Sequence, residues 1–232
     1  MRILIIGSGG REHALAWKIA QSPLVEKLYA APGSDVMAAL AEPVMVDSNS
    51  VEALADWAEE NKIDIAVVGS EVYLSLGITD AFSRRGVAMF GPSYQAARLE
   101  SSKVFAKRFM TKYRIPTARF EVFDQLTDAM DYIQAVNSPL VIKADGLAAG
   151  KGVIVTDTIA EAQTAVDQIM GQRLYGDAGK VVLVEERLYG EEVSLLAISD
   201  GTHILPLIPA QDHKRVFVGD HGPNTGGMGA YA

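Results

Sequence analysis

The sequence predicts an α/β protein in which an open parallel sheet comes first and a smaller α+β region follows. Over about the first 100 residues, short apolar runs alternate with amphipathic segments, the order typical of strands and helices in a parallel sheet. The strand-like runs are apolar on both faces, as expected for strands that helices cover on either side. From about residue 118 the order changes to strand, helix, hairpin, helix and strand. We therefore expect a parallel α/β domain at residues 1–100 and a second region at residues 101–232.

The elements of the first domain follow from this alternation and from helix-start signals. Val51, Leu54, Ala55 and Ala58 fall at helical spacing, and Ser50 just before them is suited to be the N-cap. The predicted strands are residues 2–7, 27–31, 44–47, 63–69 and 87–91, and the predicted helices are residues 12–21, 51–61 and 74–85.

The second region begins with a predicted basic amphipathic helix at residues 101–113. It ends before Pro116, because the residue before a proline disfavours the helical region. A hairpin is predicted to turn at Asp200 and Gly201, and the last residues are expected to be a glycine-rich loop without a closing strand or helix. The remaining predictions are strands at residues 118–123, 140–144, 152–156, 180–186, 193–199 and 203–208, and helices at residues 127–136 and 158–170.

Composition excludes several classes of function. The 232 residues carry 21 basic and 29 acidic side chains, a net charge of −8, which argues against a nucleic-acid-binding protein. Cysteine is absent, so disulfides, thiolate metal sites and a cysteine nucleophile are excluded. The longest apolar runs are far shorter than the ~20 residues needed to span a bilayer, and the N-terminus has no signal-peptide pattern. We expect a cytoplasmic protein with no membrane partner.

A glycine-rich segment, G-S-G-G-R-E-H at residues 7–13, follows the first predicted strand and opens a helix. Glycines at a helix N-terminus let backbone N–H groups approach an anion. Glu12 occupies the third glycine position of the dinucleotide fingerprint, so that interpretation fails. A phosphate or carboxylate site for a small substrate and a tight strand-to-helix turn remain about equally favoured.

A second segment, V-I-K-A-D-G-L-A-A-G-K-G at residues 141–152, differs from a Walker A loop in spacing, and Gly152 replaces the magnesium-binding Ser or Thr. A glycine-rich hairpin tip can close over nucleotide phosphates, and Lys143 could reach them from its strand. The alternative is a flexible hairpin with two solvated lysines. The apolar run around Lys143 disfavours that alternative, because lysine is rarely buried unpaired.

Two further segments combine charge with strand ends or glycine. In residues 182–194, backbone groups of Glu186 and Leu188 could read adenine, and the Glu192 carboxylate could accept from ribose hydroxyls, although a solvated charged turn is the alternative. Residues 210–215 and 222–229 offer donors for a second anionic substrate. His213 there is more often a surface residue than a catalytic one, and no histidine spacing indicates zinc.

Together these segments resemble the glycinamide ribonucleotide synthetase family of the ATP-grasp superfamily, over the whole chain. The motifs that carry the resemblance occur in the family's order: GSGGREHAL, FGPS, LESSKVFAK, IPTA, VIKADGLAAGKGV, EERLYGEEVS and AQDHKR followed by GDHGPNTGGMGAYA. The resemblance implies a pre-ATP-grasp domain at residues 1–100, then an ATP-grasp lid at about residues 118–189 and a truncated ATP-grasp core.

The resemblance also implies a reaction. ATP, glycine and 5-phosphoribosylamine would give glycinamide ribonucleotide, ADP and phosphate through a glycyl phosphate, in purine biosynthesis. The implied ATP-binding residues are Lys103, Lys143, Gly146, Gly150, Lys151, Gly152, Glu185, Glu186, Leu188 and Glu192. The implied substrate-binding residues are Gly9, Gly10, Glu12, Asp212, Lys214, Arg215, Asn224 and Thr225.

The chain departs from the family at two positions and in length. Ser70 stands where proline is usual before Glu71, and Ser34 where asparagine is usual. The family's ligands for Mg²⁺ or Mn²⁺ are expected beyond Ala232, so we expect a fragment that is inactive by itself. The alternatives are an ATP-grasp ligase for another carboxylate and amine, and a non-catalytic nucleotide-binding module.

Overall fold

The computed structural model describes residues 1–148, 151–219, 221–225 and 228–232. The chain forms two compact units, Met1–Ser101 and Ser102–Ala232. Within the described residues, no helix combines the length and the apolar character that crossing a membrane requires.

The first unit is built on a five-stranded sheet in the order β3-β2-β1-β4-β5, with every neighbouring pair parallel. The parallel sheet that the alternating pattern predicts is therefore confirmed. The strands are β1 Arg2–Gly7, β2 Lys27–Pro32, β3 Glu42–Pro43, β4 Ile65–Val68 and β5 Ala88–Phe90. The helices are α1 Gly10–Ile19, α2 Val51–Glu60, α3 Glu71–Ser75, α4 Ile78–Arg84 and α5 Tyr94–Ser101, with a short 3₁₀ turn at Met37–Ala39.

The interior of the central strand β1 is apolar because each face of the sheet supports its own core. Leu4 and Ile6 of β1 pack with residues of α2 and α4 on one face. Ile3 and Ile5 pack with Ala16 of α1 on the other. Alternate side chains of one strand thus enter opposite cores, as in a sheet covered on both sides. This arrangement places the β1–α1 turn at the carboxyl edge of the central strand.

Several element boundaries differ from the sequence predictions. The strand predicted at residues 44–47 is wrong: pairing with β2 occupies Glu42–Pro43, and the Val44 N–H makes one further bond to the Ala30 carbonyl. The helix predicted at residues 74–85 is two helices, because Gly77 has a left-handed backbone with φ of 80°. Ser50 caps α2 as predicted, accepting from the Ala53 N–H at 3.2 Å.

The second unit contains a four-stranded antiparallel sheet in the order β6-β9-β7-β8. The strands are β6 Phe120–Phe123, β7 Leu140–Ala144, β8 Val153–Val155 and β9 Val182–Glu186, and the helices are α6 Lys103–Tyr113, α7 Leu126–Val136 and α8 Ile159–Val166. Ile133, Ile142 and Val166, all fully buried, share one core between helices and sheet. The predicted order of strand, helix, hairpin, helix and strand is confirmed.

The helix predicted at residues 101–113 begins two residues later. Ser102 is its N-cap and accepts from the Phe105 N–H at 3.1 Å. Ser101 ends α5, a helix that the sequence predictions did not include. The helix predicted at residues 158–170 is α8 followed by a π turn, Asp167–Gly171. A 3₁₀ turn, Gly176–Lys180, leads into β9.

After β9 the residues that the structure describes form three small antiparallel strand pairs. The predicted hairpin is confirmed as β10 Ala197–Ser199 with β11 Ile204–Pro206. The expectation of a final loop without strands is wrong, because β12 Gln211–Asp212 pairs with β15 Ala230–Tyr231, and β13 Arg215–Phe217 pairs with β14 His221–Asn224. Large apolar side chains are exposed around the hairpin: Val193, Leu195, Leu196, Ile198, Ile204, Leu205, Leu207 and Ile208.

Candidate functional site

The turn between β1 and α1 is organised around a buried glutamate. Gly9 is the N-cap of α1, and its N–H donates to Glu12 Oε2 at 2.6 Å. The side chain of Glu12 lies under the turn, with only 5% of the residue exposed. Its negative charge lies beside the positive end of the helix dipole, which is the favourable arrangement. Glu12, which was predicted to bind substrate, is therefore buried within the turn and accepts a hydrogen bond from the turn itself.

Three glycines leave the space that the Glu12 side chain fills. A Cβ atom at Gly7, Gly9 or Gly69 would come within 2.5, 2.9 and 2.0 Å of Glu12 side-chain atoms. A Cβ at Gly10 would meet no heavy atom within 4 Å. Gly10 is thus open at the first turn of α1, where backbone N–H groups have no partner inside the helix.

A cleft of about 570 Å³ opens beside this turn. Residues 7–9, Arg11 and Glu12 line one part of it, and Ser70, Glu71 and Tyr73 at the start of α3 line another. Arg11 and Glu71 form an ion pair at 3.6 Å, and both side chains remain more than one-third exposed. The cleft therefore contains an accessible cation and an accessible carboxylate. Ser70, which stands where the family usually has proline, also lines it. Ser34 is the other residue that differs from the family pattern, and its Oγ atom is buried without a hydrogen-bond partner.

The second unit holds a buried cluster of two lysines and one glutamate. Glu185 Oε2 accepts from Lys143 Nζ at 2.8 Å and lies 3.2 Å from Lys107 Nζ. The side chain of Glu185 is 4% exposed, that of Lys107 8%, and that of Lys143 25%. Glu185 Oε1 is buried and has no hydrogen-bond partner. The cluster therefore has one more cation than anion and one free acceptor.

Lys107 is the functional candidate that the sequence predictions missed. It lies one helical turn after Val104, and both residues are buried, so Lys107 belongs to the inward face of α6. A lysine in phase with the apolar face of an amphipathic helix was the available signal. Lys143 lies on β7 as predicted, beside β9, because the register pairs it with Leu183.

The start of α6 is bonded to the beginning of the glycine-rich loop. Asp145 Oδ1 accepts from the Val104 N–H at 2.8 Å and from the Ser102 hydroxyl at 3.1 Å. Lys103 Nζ donates to the Gly146 carbonyl at 3.0 Å. Lys103 and Gly146, both predicted to contact phosphates, are therefore adjacent.

The far side of this loop is only partly described. The Lys151 carbonyl accepts from the Tyr175 hydroxyl at 2.7 Å, and a Cβ at Gly152 would lie 2.6 Å from the Ala148 Cβ. Gly150, a predicted ATP-binding residue, lies outside the described residues.

The predicted adenine-reading strand end is partly engaged. The Glu186 N–H donates to the Arg119 carbonyl at 3.0 Å, and the Glu186 carboxylate accepts from the Arg119 N–H and Nε, both at 2.8 Å. The two hydrogen bonds that the carboxylate accepts from Arg119 hold the pKa of Glu186 below its usual value. Leu188 is 68% exposed. Of the two residues whose backbone groups are predicted to read adenine, Glu186 thus already has its N–H bonded.

A second charged cluster joins three residues that follow β9 in the chain. Lys214 Nζ lies 3.2 Å from Glu192 Oε2 and 3.6 Å from Asp212 Oδ1. Partial burial lowers the pKa of Lys214, but its hydrogen bond to Glu192 and the two carboxylate charges outweigh burial, so the pKa is raised. Thr225 adjoins this cluster, because its hydroxyl donates to the Lys214 carbonyl at 2.8 Å.

The remaining predicted substrate residues lie along the neighbouring strand pair. Arg215 pairs with Asn224 in the β13–β14 register, and the side chain of Asn224 lies outside the described part of the chain. Between the Lys143 cluster and the Glu192 cluster, no hydrogen bond or ion pair joins the six described side chains. That Lys143 and Glu192 bind one nucleotide stays a prediction.

Comparison with known sequences matches two families that divide the chain between them. "Phosphoribosylglycinamide synthetase, N domain" matches residues 1–100, and "Phosphoribosylglycinamide synthetase, ATP-grasp (A) domain" matches residues 101–232. A phosphoribosylamine–glycine ligase from Halalkalibacterium halodurans is 51% identical over all of this chain, which covers 54% of that protein. The chain spans about half the length of the curated relatives it matches.

Two solved structures show the same fold. Phosphoribosylamine–glycine ligase from Thermotoga maritima is 34% identical with a TM-score of 0.82, over 99% of this chain and 55% of that one. Biotin carboxylase from Campylobacter jejuni, solved as a β-γ-ATP complex, is 15% identical with a TM-score of 0.72, over 93% of this chain and 52% of that one. At that identity the second likeness concerns the fold alone.

Proposed function

Because the chain belongs to the phosphoribosylglycinamide synthetase family, we propose that it contributes nucleotide-binding and substrate-binding units to an ATP-dependent ligase. The proposed reaction joins glycine to 5-phosphoribosylamine and gives glycinamide ribonucleotide, ADP and phosphate through a glycyl phosphate, in purine biosynthesis. The match of both halves of the chain to one family, in order, supports this reaction over that of another ATP-grasp ligase.

The observation that carries the nucleotide proposal is the cluster of Lys107, Lys143 and Glu185. A buried carboxylate oxygen without a partner is costly, so Glu185 Oε1 is an acceptor that requires a donor. The exocyclic amino group of adenine supplies such a donor. The surplus cation favours an anionic ligand, and Lys143 is the more exposed lysine. An adenine ring that carries phosphates satisfies both requirements.

The phosphates would lie toward the glycine-rich loop. Lys103 already donates to the Gly146 carbonyl beside that loop, so its ammonium group is close to the proposed position of the phosphates. Phosphoryl transfer requires positioning and neutralisation of charge more than a protein nucleophile. Lysine side chains and glycine amides provide both.

The β1–α1 turn suits the phosphate of the second substrate. Because Glu12 already accepts from the Gly9 N–H, the amides available to a ligand begin at Gly10. A helix N-terminus with open amides favours a phosphate group. Arg11 adds a cation and Glu71 a carboxylate that could accept from an amine or from ribose hydroxyls. We therefore assign Gly10 and Arg11 to the phosphoribosyl phosphate.

The donors of the described residues do not fit a resident metal ion. Across residues 1–148, 151–219, 221–225 and 228–232, no group of three or more histidine, aspartate or glutamate side chains is arranged to hold one. The proposed roles of the side chains therefore include no step that passes through a metal ion.

Isothermal titration with ATP tests the nucleotide proposal. We expect Lys143→Ala to weaken ATP binding by about tenfold or more, because a hydrogen bond to a charged group contributes ~1.5–3 kcal/mol. Lys112→Ala, which removes an exposed lysine of α6, is the matched control and should bind as the unaltered chain does. Equal affinity in both variants would contradict the proposal. In a protein of the relatives' full length, ADP release that is as fast with alanine as with glycine would contradict the assigned substrate.

A further inference from the structure

The proposed function uses the charge of Lys107 but does not explain why this lysine is buried. Its Nζ donates to the Thr117 hydroxyl at 2.7 Å and to the Ala118 carbonyl at 3.2 Å, and lies 3.2 Å from Glu185 Oε2. The same ammonium group lies 5.4 Å from the centre of the Phe120 ring, within the range of a cation–π contact. Four groups thus hold the Lys107 ammonium group in position.

Lys143 is held much less firmly. Its described hydrogen bonding and ion pairing involve Glu185 alone, and a quarter of its side chain is exposed. Both lysines contact the same atom, Glu185 Oε2, while Oε1 has no partner. If Lys143 departed, Glu185 would therefore keep one cation on the oxygen it already uses.

We propose that Lys107 is a fixed counter-ion that holds Glu185 in place when Lys143 leaves it to contact a nucleotide phosphate. The proposal rests on the proposed ATP binding and makes Lys107 a positioning residue. It explains why one carboxylate has two lysines: one stays with Glu185 and the other is exchangeable. Glu185 Oε1 then remains oriented toward the base throughout.

The energetic reason is the burial of Glu185. A carboxylate that is 4% exposed cannot lose its only cation without a large desolvation penalty. Without Lys107, Lys143 would be the sole partner, and releasing it to a phosphate would leave the buried charge unpaired. Triphosphate binding would then weaken, whereas binding of a nucleoside that never recruits Lys143 would be affected much less.

The test compares ATP with adenosine by isothermal titration in four forms of the chain: unaltered, Lys107→Met, Lys107→Met with Glu185→Gln, and Lys112→Met as the control. We expect Lys107→Met to reduce the preference for ATP over adenosine by about tenfold, the equivalent of one ion pair near 1.4 kcal/mol. The double variant should recover most of that preference, because an uncharged amide at position 185 no longer retains Lys143.

Each outcome decides a different statement. Absence of binding to ATP by the unaltered chain would refute the proposed function and this inference with it. Equal weakening of ATP and adenosine in Lys107→Met would refute only the inference, since it would mean that Lys107 merely shapes the site.

NMR of the lysine ammonium groups in the unaltered chain gives a second readout that does not depend on the stability of any variant. Addition of ATP should shift the Lys143 signal and leave that of Lys107 in place. Movement of Lys107, or an unchanged Lys143, would overturn the inference.

Discussion

Asp145 offers a direct test of how the second unit holds its lysines in place. Its carboxylate accepts from the Val104 N–H at 2.8 Å and from the Ser102 hydroxyl at 3.1 Å, and so fixes the start of α6 to the end of β7. Asp145→Ala removes both bonds and leaves the first turn of α6 with one fewer partner for its N–H groups.

The magnitude follows from those two bonds. One of them joins a backbone N–H to a carboxylate, a class that contributes ~1.5–3 kcal/mol, and the hydroxyl bond adds a smaller amount. We expect the free energy of unfolding to fall by about 2–3 kcal/mol, which lowers the midpoint of thermal unfolding by roughly 4–12 °C in a chain of this size. Asp145→Asn keeps one acceptor oxygen and should lose about half as much.

Thermal unfolding followed by circular dichroism measures the effect, and hydrogen exchange at the Val104 amide locates it. Asp131→Ala, on an exposed position of α7, is the matched control and should change stability by less than ~0.5 kcal/mol. If Asp145→Ala and Asp131→Ala unfolded at the same temperature, the assigned role of Asp145 would be refuted.

Two other perturbations test local features. Gly77→Ala should lower the free energy of unfolding by ~1–2 kcal/mol, because φ is 80° there and a side chain is strained in that conformation. Gly10→Ala, where a Cβ would meet no heavy atom within 4 Å, should cause no such loss. Equal denaturation midpoints for the two variants would contradict this prediction. The hydrogen bonds from the His203 backbone and ring, and from the Thr202 N–H, lower the pKa of Asp200 to about 2. Because the pKa of Asp200 in the folded chain lies below its ordinary value of 3.8, the stabilisation that Asp200 gives to the β10–β11 turn is complete above that value and is lost as pH falls toward about 2. The protection of the His203 amide, measured as its exchange rate relative to the intrinsic rate at the same pH, should fall over that interval and should stay constant in Asp200→Asn.

The sequence was informative where one local pattern determined the structure. Unbroken apolar runs predicted the parallel sheet because both faces of β1 are buried, and Ser50 predicted the start of α2 because capping is a local property. Gly77 was missed because a single left-handed residue interrupts a helical pattern without changing its apolar spacing.

The candidate sites were predictable only in part, since their geometry depends on distant contacts. Glu12 looked like a departure from a glycine fingerprint. The structure explains it by the hydrogen bond from the Gly9 N–H and by the space beside Gly69, which follows β4 and lies 57 positions later in the chain. Lys143 was recognisable within its apolar run. For Lys107 the one local signal was its phase with the apolar face of α6, and its partner Glu185 lies 78 positions later in the chain.

The ribbon formed by residues 193–208 has a consequence for handling the protein in solution. The ionisable side chains within it, Asp200 and His203, lie at the turn, so nearly all of the net charge of −8 resides elsewhere on the molecule. A two-stranded ribbon has backbone N–H and C=O groups without partners along its edges. Contiguous exposed apolar surface of this kind promotes association between molecules. Salt further weakens the long-range repulsion that keeps molecules apart. Self-association of the protein should therefore occur through residues 193–208, and dilute samples at low ionic strength should remain monodisperse longest.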